Sequence, residues 1–362
     1  MRKPRKRFAL LSIALIATAG ALTACTTGDD GGSDDGGGGS GDAIKIGLLL
    51  PESQTARYEK FDRPLFEEHL ATLGDYEVVY ANADQDASKQ QQQAESALTE
   101  GIEVMVLDPV DGAAAASIVA NAAAQDVPVI AYDRFIEGGQ IAYYISFDNE
   151  QVGVLQGEAL VERLQADGTT TGIIMINGSP TDGNATLFKE GAHSVIDASG
   201  IPILAEFDTP DWSAEEAQTF AAGQIGQFSD QISGVYAAND GTAGGAIAAL
   251  RAAGVDPIPP VTGQDAELTG IQRIVAGDQF MTVYKAIKLE AELAAEVADQ
   301  LARGETPEGD TEVDGIPATL LTPVVVTVDN IADTVIADDF YTVDEICTAE
   351  YADACAAAAG LQ

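Results

Sequence analysis

Pairs of polar side chains follow two neighbouring apolar runs in this chain. Asp133 and Arg134 follow the run at 129–131, with Tyr132 between, and Asp148 and Asn149 come after the next run, at 143–147. Short continuous apolar runs are typical of parallel strands covered on both faces, and open α/β sheets bind ligands just beyond the carboxyl ends of such strands. Carboxylates accept hydrogen bonds from hydroxyl groups, whereas guanidinium and amide groups donate to oxygen atoms. The pattern therefore predicts a site for a neutral, polyhydroxylated ligand.

The elements that would position these side chains form two sets. From Ile44 onward, apolar runs alternate with helical patterns, which is typical of βαβ units around a mostly parallel sheet. The folded part, roughly 300 residues, is long enough for two lobes. We predict strands at 44–50, 77–80, 104–107 and 129–131 in the first lobe, and at 172–176, 203–207, 234–237, 261–263 and 280–283 in the second. Helices are predicted near 58–73, 88–100 and 112–125, from about 150, 183, 213, 241 and 266, and at 287–302; a loop at 304–315 and a strand at 324–328 follow.

If the two lobes face each other across their strand ends, the polar residues at those ends converge on one cleft. The candidates are Arg57, Lys60, Asp133 and Arg134 from the first lobe, and Asp148, Asn149, Asn184, Trp212, Asn239, Asp240, Asp265 and Lys285 from the hinge and second lobe. Structural roles remain open for several of them. Asp240 and Asp265 precede helices and could be N-caps, Arg134 could form a surface ion pair, and Trp212 could serve packing alone.

Ordered motifs along most of the chain carry a family resemblance. They are ARYEK at 56–60, YDR at 132–134, YISFDN at 144–149, NGSPTDGNA at 177–185, DW at 211–212, AANDGTAGGAI at 237–247, GQDAEL at 263–268 and MTVYK at 281–285. In order and spacing the chain resembles the periplasmic-type D-xylose-binding proteins, the substrate-binding subunits of pentose ABC importers. The resemblance implies two Rossmann-like lobes with parallel sheets, joined by a three-strand hinge near 147–150, 283–286 and 321–324.

The resemblance also implies which residues contact a sugar. The family's contacts fall on Arg57, Asp133, Arg134, Asn149, Trp212, Asn239, Asp265 and Lys285, and we add Asp148 and Asn184 to the predicted site. Trp212 would cover the apolar face of the sugar. Tyr58 stands where the family often carries Trp and would form the opposite wall, which leaves the identity of the sugar open.

The implied function is capture of an aldopentose, with D-xylose favoured, and its delivery to ABC permease subunits. Three alternatives are a different monosaccharide (glucose, ribose or arabinose), a sensor that presents the sugar to a membrane receptor, and a glycosidase that uses Asp133 and Asp265. The glycosidase is disfavoured because neighbouring Arg and Lys residues would keep both carboxyl groups ionised. The resemblance implies no cofactor, and we expect a monomer.

The first 25 residues have the features of a lipoprotein leader. Five of the first seven are basic, an apolar run at 8–19 follows, and LTAC at 22–25 forms a lipobox. The run is shorter than the roughly 20 residues of a spanning helix. We therefore predict a signal peptide at 1–24, lipidation of Cys25 with anchoring to the outer face of the cell membrane, and a flexible tether at 25–42.

The remaining boundaries follow from the hinge positions. The first lobe is predicted to comprise 43–147 and about 286–321, the second about 148–285 and about 322–340, and a C-terminal extension spans 341–362. The extension contains Cys347 and Cys355, for which we favour a disulfide over two idle thiols because the chain is exported.

The charge of the chain excludes some partners. With 58 acidic and 18 basic residues the net charge is −40, which disfavours nucleic acid and anionic lipid headgroups. No metal site is predicted: only two histidines are present, and the calcium-like pattern that begins at Asp84 has Lys89 where the loop requires glycine.

Overall fold

The computed structural model describes residues 43–358, 360 and 361. The signal peptide, Cys25 and the tether fall on residues 1–42, outside the described residues, and stay predictions. Within the described part, no helix has the length and apolar character needed to cross a membrane.

The described residues form strands and helices that alternate along most of the chain. The strands are β1 (Ile44–Leu50), β2 (Tyr76–Asn82), β3 (Val104–Leu107), β4 (Val129–Tyr132), β5 (Tyr143–Phe147), β6 (Ile173–Asn177), β7 (Ile203–Asp208), β8 (Gly234–Ala237), β9 (Thr282–Tyr284), β10 (Thr311–Val313), β11 (Ile316–Leu321) and β12 (Val324–Val326). The α-helices are α1 (Arg63–Leu73), α2 (Ala87–Glu100), α3 (Ala116–Ala123), α4 (Asn149–Asp167), α5 (Gly183–Ser199), α6 (Ala214–Phe228), α7 (Asp240–Ala252), α8 (Leu268–Ala276), α9 (Ile287–Ala302), α10 (Val343–Ile346) and α11 (Ala352–Ala357).

The first sheet has the order β10-β11-β5-β4-β3-β1-β2, and all of its pairs are parallel except β10 with β11. Strands β3, β4 and β5 are buried along their whole length, as expected for strands covered on both faces. The strand order reverses between β1 and β3, where an open α/β sheet leaves a crevice at its carboxyl edge. The segments that follow β1, β3 and β4 therefore meet at this crevice.

The second sheet has the order β7-β6-β8 and is parallel throughout. Val261 bridges to β8, and β9 pairs with β12 in a separate antiparallel ribbon. The strand predicted at 261–263 is thus only an isolated bridge.

The chain passes between the two sheets three times: from β5 into α4, from β9 into α9, and from β11 into β12. Helix α9 returns to the first sheet, because its alanines at 291, 294, 295 and 298 pack in one core with strands β1, β3 and β4. The predicted α/β fold of two lobes joined by three crossings is confirmed. The residue boundaries that we assigned to the lobes stay predictions.

The hairpin β10–β11 occupies part of the region that we predicted to be a loop. Val313 pairs with Ile316, so that Asp314 and Gly315 form a two-residue turn. Both have positive φ, 50° and 80°, as a type I′ hairpin turn requires. The Asp-Gly pair was the sequence signal for this hairpin.

The C-terminal extension packs on the folded body. Cys347 and Cys355 form a disulfide with an S–S distance of 2.09 Å. Tyr341 packs edge-on against Phe61 at a centroid distance of 5.7 Å, and Lys60 pairs with Glu345 at 3.6 Å. Lys60 is thus directed to the extension.

Glycines allow helices α4 and α5 to pack closely. A Cβ atom at Gly191 would clash with the Glu150 carbonyl oxygen, whereas Gly223 in α6 has open space around it. We expect Gly191→Ala to lower the free energy of unfolding by about 1–3 kcal/mol because the helices must separate. Gly223→Ala should raise it by about 0.5–1 kcal/mol through helix propensity. Denaturant unfolding measures both, and equal changes would contradict the packing argument.

Candidate functional site

A small cavity lies at the carboxyl ends of the strands, between the two lobes. All the residues that line it are buried. Nine of the eleven predicted site residues line it: Arg57, Tyr58, Asp133, Arg134, Asn184, Trp212, Asn239, Asp265 and Lys285. The cavity is also lined by four residues that sequence reasoning did not select, Thr55, Asp182, Phe188 and Gln264.

Arg57 is buried and is held by carboxylates on its far side. Its Nε and Nη2 donate to the two oxygens of Asp62 at 3.0 and 2.7 Å, and Nη2 also donates to Glu290 at 2.6 Å. Nη1 has no hydrogen bond, although Asp133 Oδ1 lies 3.3 Å away. Burial opposes the charge, but Asp133, Asp62 and Glu290 outweigh it and raise the pKa of Arg57. The structure thus fixes a charged guanidinium with one nitrogen left to donate at the cavity.

Asp133 lies at the centre of the site. Its carboxylate is near Arg57 and near Lys285, whose Nζ is 3.9 Å from Oδ1, and it accepts a hydrogen bond from the Tyr58 hydroxyl at 3.3 Å. Burial alone would raise the pKa of Asp133, but Arg57, Lys285 and Arg134 outweigh burial and lower it. An ionised carboxylate is an acceptor for ligand hydroxyl groups.

Arg134 joins the two lobes across the cavity. Its Nε lies 3.0 Å from Asp182 Oδ2 in the second lobe, and its Nη2 donates to the Tyr58 hydroxyl at 3.1 Å. Asp182 also accepts from Trp212 Nε1 at 3.1 Å. Burial raises the pKa of Asp182, and Arg134 opposes that effect. One carboxyl group thus orients both the aromatic wall and the guanidinium that faces it.

The aromatic wall depends on a glycine. A Cβ atom at Gly178 would overlap the Trp212 ring, so glycine leaves the ring its place. Phe188 packs edge-on against that ring at a centroid distance of 6.3 Å. Trp212 is therefore both packed and part of the cavity lining, so the two roles weighed from sequence coexist.

The second lobe contributes Lys285 and Asp265, which pair at 3.2 Å. Asp265 Oδ1 is buried and has no hydrogen bond in the described structure. Asn239 lines the cavity and also caps α7, accepting a hydrogen bond from Thr242 N at 2.8 Å.

Neither Asp240 nor Asp265 is an N-cap, so the structural alternative that was open for both is wrong. Asp240 is the first residue of α7 and is fully buried, where it accepts hydrogen bonds from Glu267 N at 2.8 Å and Gln279 Nε2 at 2.6 Å. Burial raises the pKa of Asp240 to about 7. Asp265 caps no helix, since α8 begins after Glu267. Asp240 is absent from the cavity lining.

Asp148 and Asn149 do not line the central cavity. They line a second, larger cavity beside the crossing segments. Asp148 caps α4 by accepting from Gln151 N at 3.0 Å, and Asn149 Nδ2 donates to Ser146 Oγ at 2.9 Å. The structure therefore places these two predicted sugar contacts in the second cavity and outside the lining of the central one.

Three lining residues have left-handed backbone conformations. The φ angles are 57° at Asp133, 57° at Trp212 and 88° at Asp265. Side chains other than glycine rarely adopt this region, and such strain concentrates at ligand sites.

Within the described residues, no group of His, Cys, Asp or Glu side chains could hold a metal ion. The cavity is lined by three cations (Arg57, Arg134 and Lys285) and three carboxyl groups (Asp133, Asp182 and Asp265). This balance suits hydrogen bonding to a neutral polar ligand.

Comparisons with known proteins agree with this arrangement. The family model described as "periplasmic binding protein domain" matches residues 46–306. The chain is 38% identical over 311 residues to the D-xylose-binding periplasmic protein of Escherichia coli K12, covering 84% of this chain and 92% of that protein. It is 36% identical over 341 residues to the protein of the same name from Haemophilus influenzae, covering 92% of this chain and 98% of the other.

A solved structure shows the same similarity in three dimensions. It is an ABC transporter solute binding protein from Clostridium phytofermentans with bound β-D-glucose, and it superposes with a TM-score of 0.77 at 28% identity. The match covers 83% of this chain and 99% of that one.

The Arg57–Asp62 pair allows a test of how much the buried ion pairs of the site contribute to stability. We expect Asp62→Asn to lower the free energy of unfolding by about 3–5 kcal/mol, because it leaves a buried guanidinium short of one charge partner. The matched control is Glu67→Gln, which breaks a pair between Arg63 and Glu67 whose side chains are 38% and 37% exposed. That change should cost less than about 1 kcal/mol. Equal losses in denaturant unfolding would refute the buried network as a source of stability.

Proposed function

The chain belongs to the periplasmic binding protein family, and on that premise we propose that it captures a monosaccharide, with D-xylose favoured, and delivers it to an ABC importer. Its resemblance to the D-xylose-binding proteins, first drawn from sequence motifs, is confirmed by the Escherichia coli and Haemophilus influenzae relatives. The observation that carries the proposal is the closed cavity, in which nine residues predicted from sequence converge. These relatives are binding proteins, and the proposed role is binding without catalysis.

The chemistry of the cavity supports a sugar. Arg57 Nη1 and Asp265 Oδ1 are buried polar atoms without hydrogen bonds in the described structure, one a donor and the other an acceptor. Arg57 Nη1 faces Asp133 at 3.3 Å and Asp265 Oδ1 faces Lys285 at 3.2 Å, so each has an ion-pair partner but makes no hydrogen bond. A ligand that supplies that hydrogen bond is therefore favoured. A sugar hydroxyl does both, since it donates and accepts.

Tyr58 and Trp212 supply aromatic rings in the cavity lining. The Tyr58 hydroxyl is also polar and lies between Arg134 and Asp133 at 3.1 and 3.3 Å. Selection among sugars would depend on which hydroxyl groups match these fixed donors and acceptors, because a mismatched sugar leaves one unpaired. D-Glucose is the main competitor, since it is bound in the Clostridium phytofermentans relative.

The mechanism is closure of the lobes on the ligand. Arg134 and Asp133 of the first lobe contact Asp182 and Asn184 of the second, with Asn184 Nδ2 donating to the Asp133 carbonyl at 3.1 Å. Ligand that contacts both lobes would stabilise this closed form, which would then be recognised by permease subunits. We also propose that the protein acts as a monomer outside the cytoplasm, held at the outer face of the membrane by lipid on Cys25.

Sugar binding can be followed through the fluorescence of Trp212, the single tryptophan of the chain. We expect saturable binding of D-xylose, and weaker binding of D-glucose, D-ribose and L-arabinose. Asp265→Asn and Arg134→Ala should each weaken binding by about 2–5 kcal/mol, or about thirtyfold or more, because each removes a buried charged contact.

Lys60→Ala is the matched control for these variants. Lys60 is a half-exposed cation near Arg57 in sequence that pairs with Glu345 instead of lining the cavity. Its removal should leave sugar affinity within about twofold. If no sugar of the panel gives either a fluorescence change or calorimetric heat, the proposed function is contradicted.

Charge balance predicts discrimination against acidic sugars. Three cations already pair with three carboxyl groups in the lining, so an added carboxylate would be buried without a free counter-charge. We expect D-xylonate and D-glucuronate to bind at least about tenfold more weakly than D-xylose and D-glucose respectively. Isothermal titration calorimetry checks this, and equal or tighter binding of the acids would contradict a balanced cavity.

A further inference from the structure

The second cavity, which we call the hinge groove, lies beside the crossing segments. Including space open to solvent in both cases, its volume is about 1470 Å³ and that of the central cavity is about 270 Å³. Asp182 and Asn184 line both cavities and separate them. The groove is too large to be an extension that holds one further hydroxyl or water molecule.

Both lobes build the hinge groove. Phe135, after β4, and Val313, in β10, line it from the first lobe, and Pro180 and Leu187 line it from the second. A backbone hydrogen bond from Gly112 N to Thr181 O, 3.5 Å long, crosses between the lobes at its edge. The groove therefore has this shape only when the lobes are closed.

Part of the groove surface is apolar and exposed. Leu187 and Leu320 line it, and each is 37% exposed. Only two other large hydrophobic side chains in the described residues are exposed, Leu289 and Val324, and neither lines the groove. Exposed apolar side chains gathered in a concave surface are typical of interaction sites.

The rest of the groove surface is acidic. No basic side chain lines it. Five carboxylates that form no ion pair within the described residues do: Asp111, Glu137, Asp148, Glu150 and Asp314. Asn149 is 2% exposed, lines the same groove, and its Oδ1 lacks a hydrogen-bond partner in the described structure. The groove thus offers acceptors and negative charge around an apolar floor, which complements a segment that carries both cationic and apolar side chains.

We propose that the hinge groove docks a basic, apolar segment of the membrane transporter that receives the sugar. This inference rests on the proposed function, since it names the surface through which the closed, loaded protein is recognised. Closure forms the groove, so a partner that binds it distinguishes the loaded form from the open form.

The test exchanges groove leucines for lysine. Leu187→Lys and Leu320→Lys each remove an apolar contact and place a cation against a basic partner, whereas Leu289→Lys makes the same change on the exposed side of α9, outside the groove. We expect uptake of labelled D-xylose, in cells that depend on this protein, to fall about tenfold or more with either groove variant. Leu289→Lys should support uptake within about twofold of the wild type.

Sugar affinity separates docking from binding. Each purified variant should bind D-xylose within about twofold of the wild type by Trp212 fluorescence, because neither leucine lines the central cavity. Normal uptake with both groove variants would overturn the docking proposal and leave sugar binding intact. A wild-type protein that binds no sugar would instead overturn the proposed function. Saturable binding of spermidine that is abolished in the groove variants, together with normal uptake, would assign the groove to a small organic cation.

Discussion

The buried guanidinium of Arg57 is the constraint on which the site depends. Removing this charge from water is costly unless carboxylates surround it, and Asp62 and Glu290 hold it from behind. Glu290 lies on α9, 233 positions further along the chain, so the ion pair requires α9 to return to the first sheet. The position of Arg57, which is a predicted ligand donor, therefore depends on the crossings of the chain between the lobes.

The same constraint also fixes the position of Asp133. Tyr132, at the end of β4, donates its hydroxyl to Asp62, and the next residue, Asp133, faces the free nitrogen of Arg57. Asp133 takes a left-handed conformation to do so. That backbone strain is tolerated because Arg57 and Lys285 stabilise the carboxylate in this position. A preformed set of donors and acceptors loses little entropy when a ligand binds, and selectivity follows from that order.

The alternation of apolar runs and helical patterns predicted the two lobes, because such patterns are local properties of the sequence. Strand-end positions together with the family resemblance predicted eleven site residues, and nine of them line the central cavity. What sequence reasoning missed depends on distant partners. Asp182 could not be predicted as a site residue from the sequence, because its role depends on Trp212 and Arg134, which only the fold brings into contact with it. Conversely, Asn149 lies two residues after the end of β5, but its side chain donates to Ser146 and does not line the central cavity. A strand end fixes where a backbone goes, and packing decides where its side chain points.

In the proposed mechanism, closure of the lobes would not depend on ligand alone. Arg134 with Asp182, and Asn184 with the Asp133 carbonyl, join the lobes directly through buried contacts. Such contacts would favour the closed form by themselves, so a sugar would need to supply only the remaining free energy, for example by hydrogen bonding to Arg57 Nη1. Ligand would therefore shift an existing equilibrium between open and closed forms, and the strength of the direct contacts would set how much of the intrinsic binding free energy is needed for closure. Weakening those contacts would lower affinity for every sugar alike, whereas altering Asp265 would change which sugar is preferred.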